Sequence, residues 1–139
     1  MIKAKTSSDK TVWANYRDTF DVEIRYAPRA KMRALINECQ IREWDQKTHQ
    51  PIERADDDKF FKRIAEEIVV NWRGLSGEVL RGMIDLDQYP QDEIDEPYSK
   101  ESCFELLKGA YGFDRWVQHI ATELEAFEAA RRAAETKNS

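Results

Sequence analysis

The chain has 139 residues, enough for one domain of ordinary size and too few for two independent cores, so multidomain architectures and large barrels are excluded. With 22 basic and 27 acidic residues the formal net charge is −5, which argues against a generic electrostatic grip on nucleic acid or on an anionic membrane surface. Charged residues reach 35% and Leu, Ile, Val and Phe number 29, just above the roughly one-fifth share below which folding is doubtful; the four Trp and five Tyr tip the balance to a folded protein.

Residues 1–11 are polar, with Lys3, Lys5, Asp9 and Lys10 beside Ser7 and Ser8, and read as a flexible N-terminal tail that lacks the apolar segment of a signal peptide. No apolar run is long enough to span a membrane, so a cytoplasmic protein is expected. A single domain is expected over 12–134, with 135–139 as a second flexible tail. Phe20, Val22, Ile24 and Tyr26 alternate with Asp21, Glu23 and Arg25, the period of two that sets one strand face on a core and the other in water. Upstream, Val12, Trp13, Tyr16 and Phe20 fit a partner strand or a helical turn, and we lean to the strand.

Pro28 is pre-set for a helix start, and Met32, Leu35, Ile36 and Cys39 recur at helical spacing, so a helix is expected to about Asp45, followed by a loop over 46–55. Asp56, Asp57 and Asp58 open a second helix by capping free N–H groups. Its stripe Phe60, Phe61, Ile64, Ala65, Ile68, Val69 and Trp72 runs to the stop at Gly74. Val79 to Leu86 fits a short helix or an irregular strand equally. Residues 85–97 read as a solvated acidic loop. Ser99 caps a third helix that carries Cys103, Phe104, Leu107, Ala110 and Tyr111 and ends at Gly112. A last helix is expected from about Asp114 towards Ala134, its stripe being Trp116, Val117, Ile120, Ala121, Leu124 and Phe127. Its final turns offer little to pack and are expected to project or to dock on a neighbour. The sum is a mainly α (α+β) domain: about four helices packed on one short β-hairpin or strand near the N-terminus.

Few constellations point to chemistry. His119 and Glu123 stand at i and i+4, but no second His accompanies them, and a half-exposed His beside a Glu is commonplace on a helix. Asp56–Asp58 lack the alternating spacing of a calcium loop and are explained by capping. Cys39 and Cys103 fall on apolar helix faces as reduced core thiols and form no CxxC pair. Neither a metal nor another cofactor is expected, and no residue is put forward as catalytic. Trp13, Trp44, Trp72 and Trp116 lie near element ends, where an indole packs its ring and keeps its N–H paired.

The segments resemble, in order, the tail assembly chaperones of long-tailed bacteriophages. The resembling stretches are Phe20-Asp-Val-Glu-Ile-Arg-Tyr-Ala-Pro-Arg29, Ile68-Val-Val-Asn-Trp-Arg-Gly-Leu75, Glu96-Pro-Tyr-Ser-Lys-Glu101, Gly112-Phe-Asp-Arg-Trp-Val117 and Leu124-Glu-Ala-Phe127. The resemblance implies a non-enzymatic, self-associating protein that binds the tape measure protein in the host cytoplasm and is missing from the mature virion, with the tail tube protein as a further candidate partner. It also implies Trp72, Phe104, Trp116 and Phe127 in the core, Gly74 as a helix stop, and Pro28 and Ser99 as helix starts. For partner contact the exposed chain ends are the candidates: Trp13 and Tyr16 at one, Arg131 and Arg132 at the other. Alternatives are a head-tail adaptor or tail completion protein, or a small enzyme or regulatory subunit using His119, Glu123 or Asp56–Asp58.

Overall fold

Alternating side chains make Phe20–Arg25 a strand with Phe20, Val22 and Ile24 buried on one face. It forms the centre of a three-stranded antiparallel sheet in the structure, a computed structural model that describes residues 10–138. In chain order the elements are β1 (Thr11–Tyr16), β2 (Phe20–Arg25), α1 (Arg29–Glu38), β3 (Gln40–Trp44), β4 (Pro51–Ala55) and α2 (Asp57–Glu67). Then come β5 (Val69–Arg73), α3 (Gly77–Met83), α4 (Lys100–Gly109), α5 (Phe113–Thr122) and α6 (Leu124–Asn138). One sheet has the order β1-β2-β5, and β3 pairs with β4 in a separate two-stranded sheet.

The fold is therefore α+β, with two antiparallel sheets, and not the mainly helical arrangement of about four helices on one N-terminal hairpin that the periodicity predicts. The hairpin near the N-terminus is present as β1 and β2, paired from Thr11↔Arg25 to Tyr16↔Phe20. Three local differences account for the rest.

The first lies at β5. Val69 pairs with Ile24 and Trp72 with Val22, and the register shift between Glu23 and Ile24 leaves Val70 as an extra residue. The bulge sets the two buried side chains three positions apart, a spacing that imitates a helix and extends the stripe of α2. The β-branched run Ile68, Val69, Val70 favours the strand. Gly74, with φ +80°, consequently ends a strand and not a helix.

The second lies after α1, which stops at Cys39 and gives way to β3 and β4, joined by a turn in which the Asp45 carboxylate accepts from the Lys47 N–H at 2.8 Å. The third is a break at Glu123, extended at φ −92° and ψ 111°, which divides the expected last helix into α5 and α6. Helical spacing carries on across this one residue, and no Gly or Pro announces it. The N-terminal tail expected over 1–11 lies, up to residue 9, outside the described residues, and α6 continues to Asn138.

The core sits between the inner face of the sheet and α2, α4 and α5. Phe113, missed as a core residue because the helix was expected to begin after it, is fully buried. Its ring lies 5.2 Å from that of Tyr16 and 6.0 Å from that of Phe20. Cys39 and Cys103 are buried and unpaired. The alanine-bearing α6 packs along β1, with the ring of the buried Phe127 5.2 Å from that of Tyr26.

Candidate functional site

Capping geometry fixes two walls of a broad concavity. Asp56 starts α2 by accepting from the Lys59 N–H at 3.1 Å, and Ser99 starts α4 by accepting from the Ser102 N–H at 3.0 Å. These two helices pack side by side and, together with α3 and the segment after it, enclose a cleft of about 1260 Å³. Its floor is apolar, made by Ala65, Trp72, Leu75, Leu80 and Leu106. The rim carries Lys59 and Lys62 on α2, and Lys100, Glu101 and Glu105 on α4.

The third wall is the segment 85–97. As expected it is a solvated acidic loop with neither helix nor strand, and hydrogen bonds pin it in place. The Tyr89 hydroxyl donates to the Ile84 carbonyl at 2.8 Å and accepts from the Leu86 N–H at 3.0 Å. The Glu96 N–H donates to the Leu75 carbonyl at 2.7 Å, and the Trp72 indole N–H donates to the Glu96 carbonyl at 2.9 Å. Gly77 lets this segment approach, because any Cβ there would lie 2.3 Å from the Pro90 carbonyl oxygen.

Behind the floor, Tyr98 holds α2 and β5 together by donating to the carbonyls of Val69, at 2.9 Å, and Ala65, at 3.2 Å. Burial, with smaller contributions from Cys103 and Glu101, pushes its hydroxyl up to about 12. Burial alone pushes the Cys103 thiol up to about 12, so it is an inert packing group and not a nucleophile.

The residues weighed from the sequence do not come together as one site. Tyr16 is buried at 3% exposure, its ring 4.9 Å from that of Trp116, so it belongs to the core and not to an exposed end. Trp13 is half-buried on the outer face of the sheet, with the Arg73 guanidinium 4.3 Å above its ring, beside a groove of about 410 Å³ bordered by the alanines of α6. Arg131 and Arg132 are exposed on α6, and Arg131 forms an ion pair with Glu128. His119 is exposed, and its neighbour Glu123 is engaged by Arg29 at 2.8 Å. Asp58 faces Lys108 at 3.7 Å. Among the described residues no group of three or more His, Cys, Asp or Glu is arranged to hold a metal ion. Of the expected core tryptophans, Trp72 is buried and Trp116 partly so, whereas Trp44 is 71% exposed on the β3–β4 hairpin.

A family model described as YdaY prophage protein matches residues 15–138. The chain belongs to the YdaY prophage protein family. No curated protein and no solved structure matches it. The YdaY match runs from within β1 to the end of α6, so all three walls of the cleft lie inside the family's domain. Among the described residues of this YdaY protein, no helix is long and apolar enough to cross a membrane.

Proposed function

We propose that this prophage protein is a non-enzymatic tail assembly chaperone that binds and solubilises the tape measure protein. It acts in the host cytoplasm as a self-associating protein, with the tail tube protein as a second partner, and is left out of the finished virion. The prophage family supports the setting, and the order of segments along the chain supports the chaperone reading.

The observation that carries the proposal is the cleft between α2, α4 and segment 85–97. At about 1260 Å³ it exceeds the roughly 300–1,000 Å³ of a small-molecule pocket, and it combines an apolar floor with a charged rim, as a groove for a polypeptide does. A long helical chain whose apolar stripe is unpaired aggregates, and many copies of a small acidic domain would keep it in solution. Arg131 and Arg132, exposed on α6, are assigned in this proposal to contacts outside the cleft.

Co-expression with the tape measure protein encoded in the same prophage tests this. A soluble complex with many copies of the small protein is the expected result. An insoluble long chain with nothing co-purifying refutes the proposal, and recovery of the small protein from purified virions would assign it to the adaptors. An Arg131→Ala, Arg132→Ala double variant that kept both self-association and tape measure binding would remove those two residues from the reading.

A further inference from the structure

The stripe Val117, Ile120, Ala121, Leu124 and Phe127 keeps helical spacing from α5 into α6, and neither Gly nor Pro interrupts it. The local sequence therefore encodes one helix over 113–138, about 39 Å long, yet the structure breaks it at a single residue, Glu123. The last bond of α5 runs from the Glu123 N–H to the His119 carbonyl at 3.0 Å, and α6 opens with the Phe127 N–H on the Glu123 carbonyl at 2.9 Å. What holds the bend is tertiary. The Ala27 N–H donates at 2.8 Å to the Ala121 carbonyl, the acceptor that a continuous helix would give to the Glu125 N–H. Arg29 reaches Glu123 at 2.8 Å, and the buried Phe127 ring lies 5.2 Å from that of Tyr26.

These ties are light. The Arg29–Glu123 pair is exposed, and exposed pairs contribute little. Among the described side chains of α6, Phe127 alone is buried, and a groove of about 410 Å³ separates its alanines from Trp13 and Ala14. Leu124, at the bend, is 56% exposed, so the folded-back arrangement leaves one member of the apolar stripe in water. Hinges this short favour exchange of the element beyond them between identical chains.

We infer that α6 is an exchangeable arm: α5 and α6 straighten through Glu123 into one helix, and α6 docks on β1 of a second copy while that copy's α6 docks in return. The occupant is fixed by identity, because the contact each copy receives is the one made within the chain, Phe127 by Tyr26 and the alanines along Trp13 and Ala14. The exchanged pair keeps these contacts and adds the backbone bonds of a continuous helix. It supplies a route for the self-association in the proposed function and does not depend on tape measure binding.

The full chain and two variants are refolded from urea at high concentration, and the mass of each product is read by light scattering after size-exclusion chromatography. Glu123→Ala removes the Arg29 pair and supplies a strong helix former, so its dimer should be about tenfold tighter than that of the parent. Leu124→Pro sets proline at the first position of α6, where the N–H makes no helical bond, and holds Glu123 extended, so this variant should fold and stay monomeric. A photoreactive benzoylphenylalanine at position 13, in place of Trp13, locates the arm. In dimers formed from mixed isotopically light and heavy chains, irradiation should join β1 of one isotope to α6 of the other. Dimers of equal strength in all three proteins, no dimer even of Glu123→Ala, or cross-links confined to single chains would each overturn the inference. These measurements use the purified chain alone, so their failure leaves the chaperone reading standing. A parent that exchanges α6 but brings down no tape measure protein on co-expression removes the chaperone reading and leaves the exchange.

Discussion

Replacing Gly77 by alanine tests how segment 85–97 is seated. The new Cβ would lie 2.3 Å from the Pro90 carbonyl oxygen, 2.5 Å from that of Gln91 and 2.9 Å from the Gln91 carbonyl carbon. All three are backbone atoms, so no side-chain rotation relieves the overlap, and the segment must retreat by about 1 Å to regain ordinary contact. That motion stretches the bonds from the Gly77 and Glu78 N–H groups to Ile94 and Asp92. Overpacking of this kind costs about 1–3 kcal/mol and each weakened hydrogen bond about 1 kcal/mol. Alanine in the first turn of α3 returns about 1 kcal/mol, leaving a net loss of about 2–4 kcal/mol. Gly82, in the same helix, is the internal control: a Cβ there meets nothing within 4 Å, so Gly82→Ala should gain about 0.5–1 kcal/mol. Urea unfolding followed by tryptophan fluorescence reads both, and with an m-value of about 2 kcal/mol/M the Gly77 variant should unfold about 1–2 M earlier. A Gly77→Ala midpoint equal to that of the parent, at unchanged m, would show that the segment is not seated on α3.

Three further outcomes follow from burial and protonation. Phe113→Ala empties the centre of the aromatic cluster and should cost about 3–5 kcal/mol, whereas Trp44→Ala, at 71% exposure, should stay within about 0.5 kcal/mol of the parent in the same urea assay. Tyr98→Phe should lower stability at neutral pH by about 1–2 kcal/mol, because the Val69 carbonyl loses its donor. Tyr98 and Cys103 both have raised pKa values in the folded chain, near 12 against ordinary values of 10.0 and 9.0, so the stability they contribute is complete below about pH 9 and is lost as the pH climbs towards 12. Urea midpoints measured from neutral to about pH 11 should fall for the parent and fall less for Cys103→Ala. A flat parent profile would contradict the protonation assignments.

The β1–β2 hairpin was legible in the sequence because one of its faces is wet and the other dry, which is the condition under which alternation survives. So were the starts of α2 and α4, since Asp56 and Ser99 cap by local chemistry alone. At β5 the pattern misled for a definite reason: the bulge at Val70 spaces Val69 and Trp72 like residues on a helix. The β3–β4 hairpin was missed because almost all its side chains are exposed, so neither a period of two nor one of 3.6 is imposed on it. Of the cleft's lining, Asp56 as a helix cap and Trp72 as a core residue could be read in advance. Its third wall could not be, because Gly77 and segment 85–97 meet through backbone atoms that no residue pattern encodes.

The pairing of α6 with β1 joins the last described element to the first. During synthesis on the ribosome, β1 and β2 can form their hairpin early, and β5 can add to the far side of β2 once α2 has emerged. Among the described residues the outer side of β1 has no strand partner, and α6, the element translated last among those described, packs against β1. Throughout that interval the nascent sheet presents an unpaired strand to its neighbours on a polysome. A ribosomal pause shortly before α6 would therefore lengthen the period in which strand-to-strand association between nascent chains competes with folding.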